Sequence, residues 1–208
     1  MELKNGRPII PFASPGEWES WLAENHASSG GLWVKIAKKE AGVASISYAQ
    51  ALEVALCYGW IDGQSKSIDE DWYYQRFTPR RSRSLWSKRN RQIVARLIEE
   101  GRMQPAGKAE IERAKADGRW DAAYDSPANA RIPAELEAAF RQSPGTKEFF
   151  ESLDSRNRYA ILHRLMVAKK PETRAKRLAQ FVEMLREKRA LYPRQQSGNA
   201  ARKPSERP

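Results

Sequence analysis

The sequence has very few of the residues that build disulfide frameworks and metal sites. It contains one cysteine, Cys57, and two histidines, His26 and His163. A single cysteine excludes an internal disulfide, and so few thiol and imidazole groups cannot supply a structural zinc site of the usual kind. The sequence also lacks a Gly-rich phosphate loop, a spaced carboxylate set and a cofactor fingerprint. We therefore expect neither a metal ion nor a cofactor.

Long apolar stretches are missing as well. No run approaches the ~20 apolar residues that a membrane-spanning helix needs. The first residues, MELKNGRPIIPFASPGEW, contain neither the apolar segment nor the cleavage site of a secretory signal. We therefore expect a cytoplasmic protein that does not insert into membranes.

Acidic residues are outnumbered by basic ones. The chain of 208 residues has 37 Lys and Arg against 26 Asp and Glu, a formal net charge of +11. A charge of this sign favours anionic partners. Seven Trp, seven Tyr and six Phe supply enough bulky apolar surface for a folded core.

Capping and alternation patterns predict the elements of the first half of the chain. Ser14 and Ser47 each begin a capping pattern, so a helix is expected after both. Residues 32–39 alternate as a strand does. Residues 60–78 are typical of a β-meander, with turns expected at Gly63 and in the acidic run Asp-Glu-Asp that follows Ile68.

The second half of the chain is predicted to be helical. Helix signals indicate segments near residues 84–100, 105–118, 134–142, from 143 onward, 155–169 and 172–189. The fold class expected is α+β: an N-terminal unit with a small antiparallel β-meander packed on helices, followed by a C-terminal helical unit. The expected boundaries are an α+β domain over 1–124, a linker over 125–133, a helical domain over 134–192 and a disordered tail over 193–208.

The segment GWIDGQ at residues 59–64 is a first candidate site. Two glycines flank an aromatic ring and a carboxylate, and glycine permits close backbone approach. Asp62 could accept a hydrogen bond or act as a base in a small pocket, with Trp60 and Gln64 beside it. The alternative is structural: Asp62 caps a turn or pairs with an arginine, while Trp60 fills the core.

The basic stretch from Thr78 to Arg91 is a second candidate site, because it contains no acidic residue. Ser84 is expected to begin a helix whose first N–H groups, with Arg80 and Arg81, would bind an anion. The alternative is a solvated basic face, with Trp86 packed on the sheet. The ligand-binding candidates of both sites are Trp60, Asp62, Gln64, Arg76, Arg80, Arg81, Ser84, Trp86, Lys88 and Asn90.

Several stretches, in the same order, resemble the YdeI/OmpD-associated proteins, a family often described as bacteriocin-protection proteins. They are ALCYGWIDGQ at 55–64, RFTPRR at 76–81, SLWSKRN at 84–90, GRM at 101–103, GRW at 118–120 and AKKPETR at 168–174. The resemblance implies a small bacterial cytoplasmic protein with links to antimicrobial-peptide tolerance and to an outer-membrane porin. It supplies no enzymatic activity and no catalytic residue.

The expected function is therefore non-enzymatic: the protein binds a small anionic ligand or a protein partner, and the resemblance links it to bacteriocin tolerance. Two alternatives stay open. One is binding of RNA or a single strand through residues 80–119, where twelve basic residues stand against five acidic ones. The aromatic residues near that segment are Trp72, Tyr73, Tyr74 and Phe77. The other alternative is an enzyme that uses Asp62.

Deleting residues 193–208 is predicted to leave the melting temperature within about two degrees of that of the full chain. The segment contains no aromatic residue and offers no apolar group that would offset the entropy of ordering it. Thermal unfolding followed by circular dichroism checks this, and a drop of many degrees would show that the tail packs on the body.

Overall fold

The computed structural model describes residues 2–193 of the chain. These residues form two compact units, which divide between Ser126 and Pro127. The architecture confirms the predicted fold class, because a sheet packed with helices comes first and a helical unit follows. The predicted disordered tail, apart from Pro193, lies outside the described residues.

A five-stranded sheet is the framework of the N-terminal unit. Its strands are β1 (Leu3–Lys4), β2 (Arg7–Pro11), β3 (Leu32–Ala37), β4 (Trp60–Ser67) and β5 (Trp72–Pro79). Their order is β1-β2-β3-β5-β4, and β2 and β3 pair in parallel while the other neighbours are antiparallel. The sequence patterns indicate β3, β4 and β5 but not β1 and β2, so they miss the parallel pair.

Residues 60–78 fold as one hairpin rather than as a meander with two turns. Asp69 forms the turn, because its Oδ1 accepts hydrogen bonds from the backbone N–H groups two and three residues later, at 2.9 and 2.8 Å. The predicted turn at Gly63 is wrong. Gly63 lies inside β4, where the register against β5 shifts between Asp62 and Ser65. A glycine inside a strand is typical of such an irregularity.

The helices of the N-terminal unit are α1 (Pro15–Asn25), α2 (Tyr48–Cys57), α3 (Lys88–Glu99) and α4 (Pro105–Ala116). Both predicted caps are confirmed. Ser14 Oγ accepts a hydrogen bond from the N–H of Glu17 at 3.3 Å, and Ser47 forms a reciprocal capping box with Gln50. These caps satisfy N–H groups that the helices themselves leave unpaired.

Helix α3 begins later than the sequence suggests. Its cap is Ser87, whose Oγ accepts a hydrogen bond from the N–H of Asn90 at 3.1 Å. The predicted start at Ser84 is wrong, because the hydroxyl of Ser84 accepts from the N–H of Arg81 at 2.9 Å and closes a turn instead. Several serines in this stretch could cap a helix, and a backbone bridge between Ser87 and Tyr124 favours the last of them.

Aromatic side chains fill the core of the N-terminal unit. The ring of Trp18 lies 6.1 Å from that of Trp60 and 5.7 Å from that of Phe77, centroid to centroid. The indole N–H of Trp60 donates to the carbonyl of His26 at 3.2 Å, so its polar atom is satisfied. Trp60 is 1% exposed, which confirms that it is a core residue.

Helices α2 and α4 meet backbone against backbone. A Cβ atom at Gly107 would stand 2.2 Å from the carbonyl oxygen of Cys57, so only glycine fits there without movement of one helix. The N–H of Gln104 donates to the same carbonyl at 3.1 Å. The thiol of Cys57 is buried, and burial raises its pKa to about 11. The thiol therefore stays protonated at neutral pH.

The C-terminal unit is a set of helices with a core of its own. Its helices are α5 (Ala134–Gln142), α6 (Thr146–Ser152), α7 (Ser155–Met166) and α8 (Pro171–Arg186). Its fully buried residues include Leu136, Ile161, Leu165 and Leu185. The predicted helix start at Ser143 is wrong, because Gly145, with a φ of 80°, reverses the chain first and precedes α6.

The substitution Trp60→Ala is predicted to lower the free energy of unfolding by about 3–5 kcal/mol, because it removes a large ring from a close-packed aromatic cluster. Urea denaturation followed by circular dichroism measures the loss. Trp60→Phe should lose markedly less, since it keeps most of the apolar volume. Wild-type stability of the alanine variant would contradict this packing.

Candidate anion-binding site

Arg80 is a buried cation at the end of β5. Its side chain is 5% exposed. Its backbone N–H donates to the carbonyl of Gly59 at 3.0 Å, and its Nη1 donates to the carbonyl of Leu85 at 3.1 Å. The guanidinium carbon lies 3.6 Å from the centre of the Trp86 ring, the geometry of a cation–π contact. The residues that follow β5 therefore fold back over their own arginine.

Several N–H donors around Arg80 are buried without an acceptor. Within residues 2–193, no group accepts a hydrogen bond from Nε or Nη2 of Arg80, from Nε1 of Trp86 or from Nη2 of Arg119. An unsatisfied buried donor costs about 1–3 kcal/mol, and more when it belongs to a charged group. Such donors near two cations have the chemistry that recognises an oxyanion.

Burial lowers the pKa of Arg80 to about 10. Tyr124 and the carboxylate of Asp62 oppose this effect, while the nearby charge of Arg119 adds to it. The guanidinium is still charged at neutral pH. An anion bound close to Arg80, in addition to Asp62, would offset the cost of desolvation that lowers the pKa of Arg80.

Arg119 is the second buried arginine of the site, and it is also 5% exposed. Its Nε lies 2.7 Å from a carboxylate oxygen of Asp117, and its Nη1 donates to the carbonyl of Ser84 at 2.8 Å. Arg80 and Arg119 thus hold the carbonyls of two consecutive residues, Ser84 and Leu85. Through these two hydrogen bonds, the arginines hold the loop of residues 81–85 in place.

Two tryptophan rings in edge-to-face contact connect these buried groups to the surface. The ring centroids of Trp86 and Trp120 are 5.0 Å apart, and the guanidinium carbon of Arg91 lies 4.9 Å from the Trp120 ring. A cleft of about 380 Å³ opens beside this pair of rings. It is lined by Lys88, Arg91, Gln92, Ala95 and Trp120. Its volume falls in the range of small-molecule sites.

Asp62 is engaged by a tyrosine. The hydroxyl of Tyr48 donates to Asp62 Oδ2 at 2.9 Å. Burial, together with this carboxylate, raises the pKa of Tyr48 above its ordinary value. Asp62 therefore accepts a hydrogen bond in a half-buried pair and contributes negative charge near Arg80.

The other sequence candidates divide between the site and the rest of the unit. Lys88 lines the cleft and forms an ion pair with Asp125 at 2.9 Å, and Asn90 is buried in the first turn of α3. The exposed residue Arg81 contributes its backbone to the turn that Ser84 closes.

Three candidates lie elsewhere. Trp60 belongs to the core, so the expectation that it contacts a ligand is not supported by its position. Gln64 is exposed on β4, within the register shift. Arg76 lies opposite Trp33 in the β3–β5 pairing, on the face of the sheet away from the core.

Sequence reasoning missed Arg119, Trp120 and Tyr48 as site residues. Arg119 and Trp120 stand in the stretch GRW that carries part of the family resemblance, so their pattern was visible but not their role. Tyr48 gave no signal, because it is only the first residue of α2 after the cap. Their contacts with the site join residues that are far apart in the sequence: Arg119 with Ser84, Trp120 with Trp86 and Tyr48 with Asp62.

Residues 2–193 contain neither a cluster of metal-ligating side chains nor a membrane-spanning helix. Across residues 2–193, no three His, Cys, Asp or Glu side chains gather where they could hold a metal ion. In the same residues, every helix is too short or too polar to cross a bilayer.

Replacing Arg80 with Met is predicted to change the free energy of unfolding by no more than about 1 kcal/mol. The variant loses a cation–π contact and one hydrogen bond, but it also removes a buried charge with unsatisfied donors. Chemical denaturation measures the difference. A loss of about 3 kcal/mol or more would show that Arg80 is present for stability.

Two family models match separate parts of the chain. Residues 10–110 match a Domain of unknown function (DUF8412), and most of the N-terminal stretches that carry the resemblance lie in this match. Residues 129–188 match the family Bacteriocin-protection, YdeI or OmpD-Associated. Searches of curated proteins and of solved structures gave no match. The part of the chain that is similar to the YdeI/OmpD-associated family thus lies in the C-terminal unit.

Proposed function

We propose that the N-terminal unit binds a small organic anion, with a carboxylate or phosphate group held by Arg80 and Arg119. The observation that carries this proposal is the set of buried cationic N–H donors without acceptors around Trp86. The cleft beside Trp120 supplies the approach, and its Arg91 makes that approach positive. Binding, rather than turnover, is what this arrangement supports.

The bound anion would take the place of missing hydrogen-bond acceptors. The loop of residues 81–85 contacts Arg80 and Arg119 through the carbonyls of Leu85 and Ser84, and its residues 81–83 are exposed. Its two ends are fixed: Arg80 donates its N–H to Gly59, and the carbonyl of Trp86 accepts from the N–H of Tyr124 at 3.0 Å. We therefore expect the middle of the loop to move aside while its ends remain in place.

The family description of the C-terminal domain names bacteriocin protection, and we propose that this protein contributes to tolerance through its bound anion. Direct capture of cationic peptides is disfavoured, because a net charge of +11 repels them at long range. A cytoplasmic location remains the expectation from the sequence. The C-terminal domain would then carry the contact with a protein partner.

Inorganic phosphate and benzoate are the probes that test this function. Each ligand that binds the folded state is predicted to raise the melting temperature with concentration, reaching about 2.7 kcal/mol of stabilisation at a hundred times its Kd. Benzoate alone would indicate a carboxylate site that uses the tryptophan rings. Phosphate alone would indicate a compact oxyanion site.

The variant Arg80→Met and the matched control Arg83→Ala decide the result. Both remove one positive charge from the same stretch, but Arg83 is exposed while Arg80 is buried. The shift should disappear in Arg80→Met and persist in Arg83→Ala. Phosphate also stabilises proteins by exclusion from their surface, and that effect is common to both variants. Equal shifts in wild type and Arg80→Met would refute the site.

A further inference from the structure

The sheet of the N-terminal unit has a second face with its own chemistry. Leu32, Val34 and Ile36 of β3 join the core, whereas Trp33 and Lys35 alternate with them on the opposite side, here named the outer face. The strand pairing adds residues to it, because Arg76 pairs with Trp33, Tyr74 with Lys35, Trp72 with Ala37 and Lys66 with Tyr74.

Aromatic rings and cations interleave on the outer face. The ammonium of Lys4 lies 4.6 Å from the centre of the Tyr74 ring, and that of Lys35 lies 4.5 Å from the centre of the Trp72 ring. Trp72 and Tyr74 are half-buried and keep part of their surface open. Trp33, on the same face, is only 3% exposed. Two accessible rings therefore stand among basic side chains.

The basic segment 80–119 does not combine accessible aromatic rings with free cations, because the aromatic residue within it, Trp86, is buried. Half of its twelve cations have carboxylate partners, and among them Arg96 and Arg102 both pair with Glu53 and Glu100. Lys88, Arg113 and Lys115 also have carboxylate partners. Of the aromatic residues that the sequence placed near it, Phe77 is in the core and Tyr73 packs against it. Trp72 and Tyr74 lie on the outer face instead.

We propose that the outer face binds single-stranded nucleic acid. Unpaired bases would stack on Trp72 and Tyr74, while Lys4, Lys35 and Lys66 would move to the phosphates. The acidic residues nearest this face are Glu2, which accepts a hydrogen bond from the Tyr74 hydroxyl, and the Asp-Glu-Asp run of the hairpin turn, whose Asp69 interacts with Lys35. A phosphate chain would compete with Asp69 for Lys35. A duplex would bind more weakly, since its stacked bases cannot reach the rings.

Fluorescence anisotropy with labelled oligothymidylate and oligouridylate of about 12 nucleotides tests the proposal. Binding should weaken as NaCl rises from about 50 to 200 mM. Lys35→Ala with Lys66→Ala should reduce the salt slope by about 0.7 for each lysine removed. Trp72→Ala should weaken binding at least about fivefold, and Trp72→Phe should restore most of it.

The matched control is Lys169→Ala with Lys170→Ala, two exposed lysines of the C-terminal unit. This variant removes the same net charge, so it should change affinity by less than about twofold if the outer face binds the strand. Equal losses in both double variants would show that net charge alone drives binding and would overturn the proposal. So would full affinity of Trp72→Ala, stronger binding of a duplex of the same length, or no binding at the lowest salt.

Discussion

The guanidinium of Arg80, buried against the ring of Trp86, is the interaction that sets the chemistry of the region between the end of the sheet and the start of α3. A cation taken out of water needs replacement partners. Here the partners are an aromatic face and the carbonyl of Leu85, and they exist only because the chain turns back on itself after β5. Arg119 fastens the same turn through Ser84. The cap of α3, Ser87, comes three residues after Ser84.

Local signals predicted the elements whose ends are decided by neighbouring residues. The caps at Ser14 and Ser47 need only a hydroxyl and the N–H groups that follow it, so the sequence reveals them. The start of α3 depends on the bridge between Ser87 and Tyr124, which are distant in sequence. The parallel pairing of β2 with β3 is non-local in the same way.

The candidate site was predicted in part for the same reason. The density of arginine after Pro79 indicates an anion site, but it cannot separate Arg80 from Arg81. The fold separates them, because one side chain enters the interior and the other faces solvent. Arg119 arrives from beyond α4, and no pattern of spacing foretells that contact. Charge can be counted along a chain, whereas desolvation depends on what the fold places around that charge.

The backbone contact between α2 and α4 places a thiol, that of Cys57, where its reactivity reports the opening of the N-terminal unit. Cys57 is the single thiol of the chain, and its carbonyl lies against Gly107 at the helix crossing. A thiol reagent reaches a buried, protonated sulfur only when the surrounding structure opens. The rate at which Cys57 is alkylated therefore measures how often this structure opens, and no engineered label is needed. A compound that binds the folded N-terminal unit but not its opened state will slow the alkylation of Cys57, so this cysteine can serve in an assay for unknown ligands.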